Sequence, residues 1–343
     1  MGLHLRLLAH GSLGADSDPH VRVGVTGGSG VVGRALIRRL VEEGHQVDAL
    51  TRTPASAADL RDRGATPVEG DVLDAPGLQA LVAGKDWVFH VAGINELCSP
   101  DPDRMDLVNI VGTRNVMEAC RSAGVRRMIH TSSAAAIGEA HRTIGSEDTP
   151  HRGSYLSRYE RSKHLSERLL FDHAGDLDVV AVNPSSVQGP GRATGTGKLI
   201  LDILNGRLAF LVETTVSIVD IDDCARGHVL AAERGIAGQR YILNGSSSSI
   251  SDLVDRFNAI TGRDLVPRFL PGWVASGGAS TLELGGRITG RRPPLCREMV
   301  KVLRAGHTYD GSRATRELGL DYTPLEITIG RTVDWFRQQG LLV

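Results

Sequence analysis

The stretch that most constrains this chain runs from Val21 to Gly44. Val21, Val23 and Val25 alternate with small or polar residues, as in a buried parallel strand, and Gly27 to Gly33 (G-G-S-G-V-V-G) then turns into an amphipathic run. Leu36, Ile37, Leu40 and Val41 share one face of that run, Arg38, Arg39, Glu42 and Glu43 the other, and Gly44 stops it. Missing side chains let the backbone turn tightly and approach a pyrophosphate, whose charge rests on free N–H groups at a helix start. Two registers fit. Gly28, Gly30 and Gly33 satisfy G-x-G-x-x-G, while Gly27, Gly30 and Gly33, with Val31 and Val32, satisfy the looser G-x-x-G-x-x-G. Either one is a dinucleotide-binding opening.

Strand and helix patterns then alternate. A second strand, Gln46 to Thr51, ends at Arg52. An acidic residue there would hold the adenosine ribose hydroxyls of NAD and repel a 2′-phosphate, whereas Arg52 can pair with that phosphate, so NADP(H) is favoured with NAD(H) as the alternative. A helix over Ala55–Arg63 leads to strand Thr66–Glu69 and to Gly70-Asp71-Val72, where Asp71 could meet the adenine amino group or cap the next turn. Strand Asp86–His90 runs into Val91-Ala92-Gly93, small enough for the cofactor to pass close; His90, inside an apolar strand, reads as a core residue. One long helix is expected from Asp103 to Ala123, and the strand after it ends in Ser132-Ser133, where ligands bind in a doubly wound sheet. Tyr159 and Lys163 lie four apart on the following helix, a spacing that lets an ammonium lower a phenol pKa toward proton transfer with an alcohol oxygen. Tyr155 has no such partner.

These pieces, T-G-G-S-G-V-V-G, G-D-V-L-D, H-V-A-G, V-N-I-V-G-T-R-N, H-T-S-S-A-A-A-I-G, Y-E-R-S-K and N-P-S-S-V-Q-G-P-G, resemble in order the extended branch of the short-chain dehydrogenase/reductase family, closest in style to dihydroflavonol 4-reductase-like and hopanoid-associated sugar epimerase-like members. The resemblance implies a Rossmann fold, α/β with a doubly wound parallel sheet, over residues 21–190 and a smaller α/β substrate lobe over 191–343 that partly returns to the nucleotide domain. It implies that Ser133 holds the substrate oxygen, Tyr159 moves its proton, and Lys163 lowers the tyrosine pKa and bonds the nicotinamide ribose. Asn109 would support them, and Pro184 with Ser185 or Ser186 would line the nicotinamide. A homodimer paired through the helices near 103–123 and 154–173 is also implied.

Sugar dehydratases of the family carry an Asp-Glu pair where this chain has Ala134 and Ala135, which argues against dehydration. Nucleotide-sugar enzymes place an arginine where Val216 stands, and a diphosphate without a cation loses charge-assisted hydrogen bonds of about 1.5–3 kcal/mol each; Lys198, Arg207 or Arg240 could substitute. Hydride transfer between NADP(H) and a carbonyl or secondary alcohol is therefore expected, with a sugar or nucleotide-sugar epimerase as the alternative. Leu208, Phe210, Leu211 and Trp273 would form an apolar wall of the substrate pocket.

Charge adds little direction, since 39 basic residues face 40 acidic ones, so neither nucleic acid nor an anionic membrane is expected as a partner. Cys98, Cys120, Cys224 and Cys296 lie far apart without metal-ligand spacing, so no metal site is expected and the thiols are expected to be reduced, as in a cytoplasm. Residues 1–20 carry only the short apolar patch Leu5–Ala9 and read as a disordered extension or a misplaced start.

Overall fold

The computed structural model describes residues 20–99, 101–208, 210–277 and 296–342. The N-terminal extension other than His20, and the basic loop Arg287–Pro294, lie outside the described residues.

The first half alternates strands and helices: β1 (Arg22–Thr26), α1 (Val31–Glu42), β2 (Gln46–Thr51), α2 (Pro54–Asp62), β3 (Thr66–Glu69), α3 (Ala75–Val82), β4 (Trp87–His90), α4 (Pro102–Asp106), α5 (Gly112–Ala123) and β5 (Arg127–Thr131). After the two-residue β6 (Ile144–Gly145) come α6 (Arg158–His173), β7 (Asp178–Pro184), β8 (Ser186–Gln188), α7 (Thr196–Leu204), β9 (Phe210–Leu211), β10 (Thr215–Asp220), α8 (Ile221–Arg234) and β11 (Arg240–Leu243). The remainder is β12 (Ser246–Ser249), α9 (Ile250–Thr261), β13 (Arg268–Phe269), a short α10 over 272–277, α11 (Arg297–Ala305), β14 (Thr308–Tyr309) and α12 (Leu325–Gln338).

Seven strands form one parallel sheet in the order β11-β7-β5-β4-β1-β2-β3. This is the Rossmann arrangement, and its strand order reverses between β1 and β4, where a doubly wound sheet opens a ligand crevice at its carboxyl end. Both faces are covered, so the central strands are mostly apolar. Val23, Val25, Phe89, Val180 and Val182 pack toward Leu36, Ile37 and Leu40 of α1 and Val229 of α8 on one face. Val88, Met128 and Val179 pack toward Leu81 of α3, Val116 and Met117 of α5 and Leu170 of α6 on the other. A separate core joins α7, α9, α12 and β10 through Leu204, Leu253, Phe257, Val333, Phe336 and Ile218. The elements after Gly191 thus divide, with α8 and β11 completing the main sheet and the others building the lobe.

Two expectations need correction, and one strand was not anticipated. The helix expected from Asp103 to Ala123 is interrupted, because a π-helical turn at Leu107–Val111 separates α4 from α5. A π turn inserts one extra residue into the ladder and leaves the apolar spacing nearly unchanged, so periodicity does not reveal it. The four-serine strand β12 pairs antiparallel with β10 from Thr215↔Ser249 to Ile218↔Ser246 despite the low strand preference of serine. Finally, Cys98 and Cys296 form a disulfide across a sequence separation of 198, while Cys120 and Cys224 are free and buried. The fold brings the start of α11 back onto the loop after β4, a proximity that local cysteine spacing cannot signal, and the cysteine argument for a reducing compartment falls with it. Among the described residues no helix is long and apolar enough to cross a membrane.

Candidate active site

The glycine turn adopts the second of the two registers. Gly27 has φ +76°, and a Cβ there would lie 2.5 Å from Ala92 N; at Gly33 it would lie 2.2 Å from Gly27 O. Gly28 instead makes room for Ile37, whose Cδ1 would be 2.7 Å from an added Cβ. Gly30 is the N-cap of α1, with no side-chain cap and no acidic residue in the first turn, so the N–H groups of Val31, Val32 and Gly33 face the crevice end of the sheet without a protein anion. That is a cradle for a phosphate group.

At the end of β2, Thr51 is buried and Arg52 exposed, the guanidinium 3.5 Å from Asp71 Oδ2. Asp71 also accepts a bond from Leu73 N at 3.0 Å, so it caps its own turn. Val72 is buried against Gly112 of α5. Across the crevice, Val91 N and Ala92 N donate to Thr26 O (3.2 Å) and Thr26 Oγ1 (3.3 Å), holding the end of β4 against β1. Gly93 then passes close to two polar side chains, since a Cβ there would crowd Lys163 Nζ at 3.3 Å and Asn109 Oδ1 at 3.2 Å.

The candidate reactive side chains lie near Gly93. Ser133 follows β5 and caps a 3₁₀ turn at Ala134–Ile137, accepting from Ala135 N at 3.3 Å. Its hydroxyl lies near enough to the Tyr159 phenol to favour the ionised form of that phenol. Ser157 caps α6 by accepting from Glu160 N at 3.0 Å, which fixes the start of the helix that carries Tyr159 and, one turn on, Lys163. Lys163 is buried and donates from Nζ to Thr131 O at 2.7 Å. Ser132 points elsewhere, its hydroxyl buried without a partner.

Burial raises the Tyr159 pKa above the ordinary phenol range; the Ser133 hydroxyl and the Arg192 charge oppose that shift. Lys163, expected to supply the opposing charge, is itself lowered to about 8 by burial. The Arg192 charge also bears on the phenol, and the sequence reading did not select that residue.

Asn109 does not reach the reacting groups. From the π turn its Oδ1 accepts from Ile94 N at 2.7 Å, and its Nδ2 donates to Ile94 O and Ser162 Oγ, both at 2.9 Å; Ser162 Oγ donates in turn to Tyr159 O at 2.8 Å. It is a positioning residue that ties the loop after β4 to α6. Asn183 is a second one, donating to Ser133 O at 3.0 Å and to Glu167 Oε2 at 2.7 Å. Of the residues proposed for the nicotinamide end, Pro184 closes β7 opposite Leu243, Ser186 Oγ accepts from Gln188 Nε2 at 2.9 Å, and Ser185 Oγ is buried with no partner in the chain. Ser185 therefore has the free hydrogen-bonding capacity. His90 is a core residue as read: it bonds Thr26 at 2.8 Å and Thr113 at 2.9 Å, and burial lowers its pKa to about 3.

The cations considered as replacements at Val216 are occupied. Lys198 and Arg207 share Asp202 at 2.5 and 3.5 Å, and Arg240 is held by Glu147 O and by Glu167 at 2.9 Å. Of the apolar wall, Leu211 is buried and Leu208 packs on the lobe core, whereas Phe210 and Trp273 are 53% and 74% exposed.

The description of the NAD dependent epimerase/dehydratase family matches residues 23–243, which span the glycine turn, the Ser133, Tyr159 and Lys163 group and the last strand of the main sheet. The chain belongs to that family. A Synechocystis sp. protein with a provisional dihydroflavonol 4-reductase name is 33% identical over 333 residues, covering 92% of this chain and 94% of its own. A 2-alkyl-3-oxoalkanoate reductase of Stenotrophomonas maltophilia is 31% identical over 318 residues, covering 89% and 95%. The crystal structure of gox2253 superposes with a TM-score of 0.83 at 34% identity, covering 94% of this chain and 99% of that one. The chain is thus an NAD(P)-dependent enzyme of the extended short-chain dehydrogenase/reductase type, a reductase or an epimerase. Its residues fit the dinucleotide: α1 is uncapped, Gly27 and Gly33 leave the close approach clear, and Ser185 holds an unpaired buried hydroxyl.

Proposed function

We propose that the chain is an NADP(H)-dependent oxidoreductase that reduces a ketone or aldehyde, or oxidises the corresponding secondary alcohol. The observation that carries this reading is the placement of Ser133 at the end of β5 near the Tyr159 phenol, with Lys163 one turn on in α6 and its ammonium beside Gly93. Preference for NADP(H) rests on Arg52, exposed at the end of β2 with no carboxylate at position 51.

When bound, the nicotinamide supplies or accepts the hydride. The Ser133 hydroxyl and the Tyr159 phenol donate hydrogen bonds to the carbonyl oxygen, stabilising the negative charge that grows there, and Tyr159 transfers its proton to that oxygen. A phenol whose pKa is raised by burial stays protonated at neutral pH, which suits the acid of a reduction. The α1 N-terminus and Gly27 hold the pyrophosphate, and Lys163, anchored on Thr131 O, holds its ammonium against Gly93.

Purified protein should oxidise NADPH with members of an aldehyde and ketone panel, read at the nicotinamide absorbance, and should do so better than with NADH. Tyr159→Phe should cut this rate by roughly 10²- to 10⁴-fold while NADPH still binds; a rate within threefold of the parent would remove Tyr159 as the acid. The epimerase alternative, suggested by the family's breadth, differs in outcome. It would retain cofactor through purification and interconvert sugars with no net NADPH consumption. Occupied Lys198, Arg207 and Arg240 weigh against a nucleotide diphosphate substrate. A homodimer through α5 and α6 belongs to the same reading.

A further inference from the structure

Arg192 stands in the turn between β8 and α7. Two glycines shape its place: a Cβ at Gly197 would lie 2.7 Å from Arg192 Cγ, and one at Gly195 would lie 3.2 Å from Nη2. The side chain is thereby laid along the turn, and the Tyr159 phenol and Cys224 are the two groups whose charges bear on it. It is half-buried, and its Nε is buried with no hydrogen-bond partner.

Other arginines drawn into the interior are neutralised. Arg127 pairs with Asp178, Arg152 with Glu160, and Arg240 with Glu167. Among the described residues Arg192 has no carboxylate, and its two neighbours supply no negative charge, because burial keeps both the Tyr159 phenol and the Cys224 thiol protonated at neutral pH. An unpaired, desolvated cation is costly, and a ligand anion relieves that cost. A guanidinium presents parallel N–H groups that match a carboxylate two at a time.

We propose that Arg192 is a specificity-determining residue that binds a carboxylate carried one or two bonds from the reacting carbonyl, so that the substrate class is an oxo acid and its product the hydroxy acid. The short reach follows from the mutual influence of the Arg192 and Tyr159 charges: the phenol is the group that meets the carbonyl oxygen, so an anion held by the guanidinium lies near the reacting carbon. This deepens the reductase reading and rests on it. The reaction balances with the hydride going to the carbonyl carbon and the Tyr159 proton to its oxygen, the carboxylate being unchanged.

The test compares 3-oxooctanoate with its methyl ester as substrates for the full chain and for Arg192→Gln and Arg192→Lys, with NADPH in excess. The acid-to-ester ratio of kcat/KM should fall tenfold or more in Arg192→Gln and recover in part in Arg192→Lys. Binding is read separately as the rise in Tm produced by 3-hydroxyoctanoate, expected for the parent, absent for its methyl ester and lost in Arg192→Gln. Equal losses for acid and ester, or a loss traced to weaker NADPH binding, would overturn the role given to Arg192 while leaving the reductase reading in place. A hydroxy acid that raises Tm through Arg192 in a protein that reduces no carbonyl would do the reverse.

Discussion

Lys163 and Tyr159 are displaced in opposite directions by one cause. Burial penalises the charged form of each, lowering the amine to about 8 and raising the phenol. For Lys163 the folded value lies below the ordinary 10.5, so the folded state binds fewer protons than the unfolded state between pH 8 and 10.5 and gains stability as pH rises through that window. Measured by denaturant unfolding, the stability of the parent relative to Lys163→Met should increase by a few kcal/mol between pH 7 and pH 10.5; a difference that does not change with pH would show that Lys163 is not desolvated. Residue types and spacing were enough to single out Ser133, Tyr159 and Lys163 as candidates, because each stands at a recognisable place on a strand end or helix face. Arg192 was not legible in the same way. Its distinction is the lack of a carboxylate around it, and that is a property of three elements together. Gly28 and Gly27 fit their motifs equally well on paper, and only the approach of Ala92 to Gly27 separates them.

At the scale of elements, the strands and helices of the sheet follow from their apolar periods, with β2 and β3 matching the expected bounds. The π turn at Leu107–Val111 is the instructive exception. It rotates Asn109 toward Ile94 and Ser162, so one side chain fastens the loop after β4 to the helix that carries Tyr159. Asn109→Ala would leave Ile94 N and O and Ser162 Oγ without this partner, at about 1–3 kcal/mol for each buried group left unsatisfied. We expect a lower Tm and a fall in kcat that exceeds any change in NADPH affinity; unchanged kcat in a destabilised variant would confine Asn109 to the fold.

Taken whole, the molecule places its nucleotide cradle on β1 and α1, its reactive groups on β5 and α6, and its lobe on segments that leave the sheet after β8. One of the lobe's ties back to the nucleotide domain lies at the loop after β4. Glu298 of α11 accepts from Cys98 N at 2.9 Å and from Arg158 N at the start of α6, beside the disulfide that joins Cys98 to Cys296. In the chain-entropy model a crosslink across 198 residues restricts the unfolded chain by roughly 5 kcal/mol at most. Thiol reduction, or Cys98→Ser, should therefore lower Tm measurably, and an unchanged Tm would mean that the crosslink closes nothing the fold has not already closed.

That bond also turns part of the polypeptide into a covalent ring. Asn109, Ser133, Tyr159, Lys163 and Arg192 all lie inside it, and the Gly27–Gly33 turn lies on the free arm outside. A protease that cuts once anywhere in the ring opens it without releasing a fragment, so the nicked protein keeps its mass on a gel until a thiol is added. A cut on the arm frees the nucleotide cradle at once. The reactive groups and the cradle thus differ in how a broken backbone reaches them.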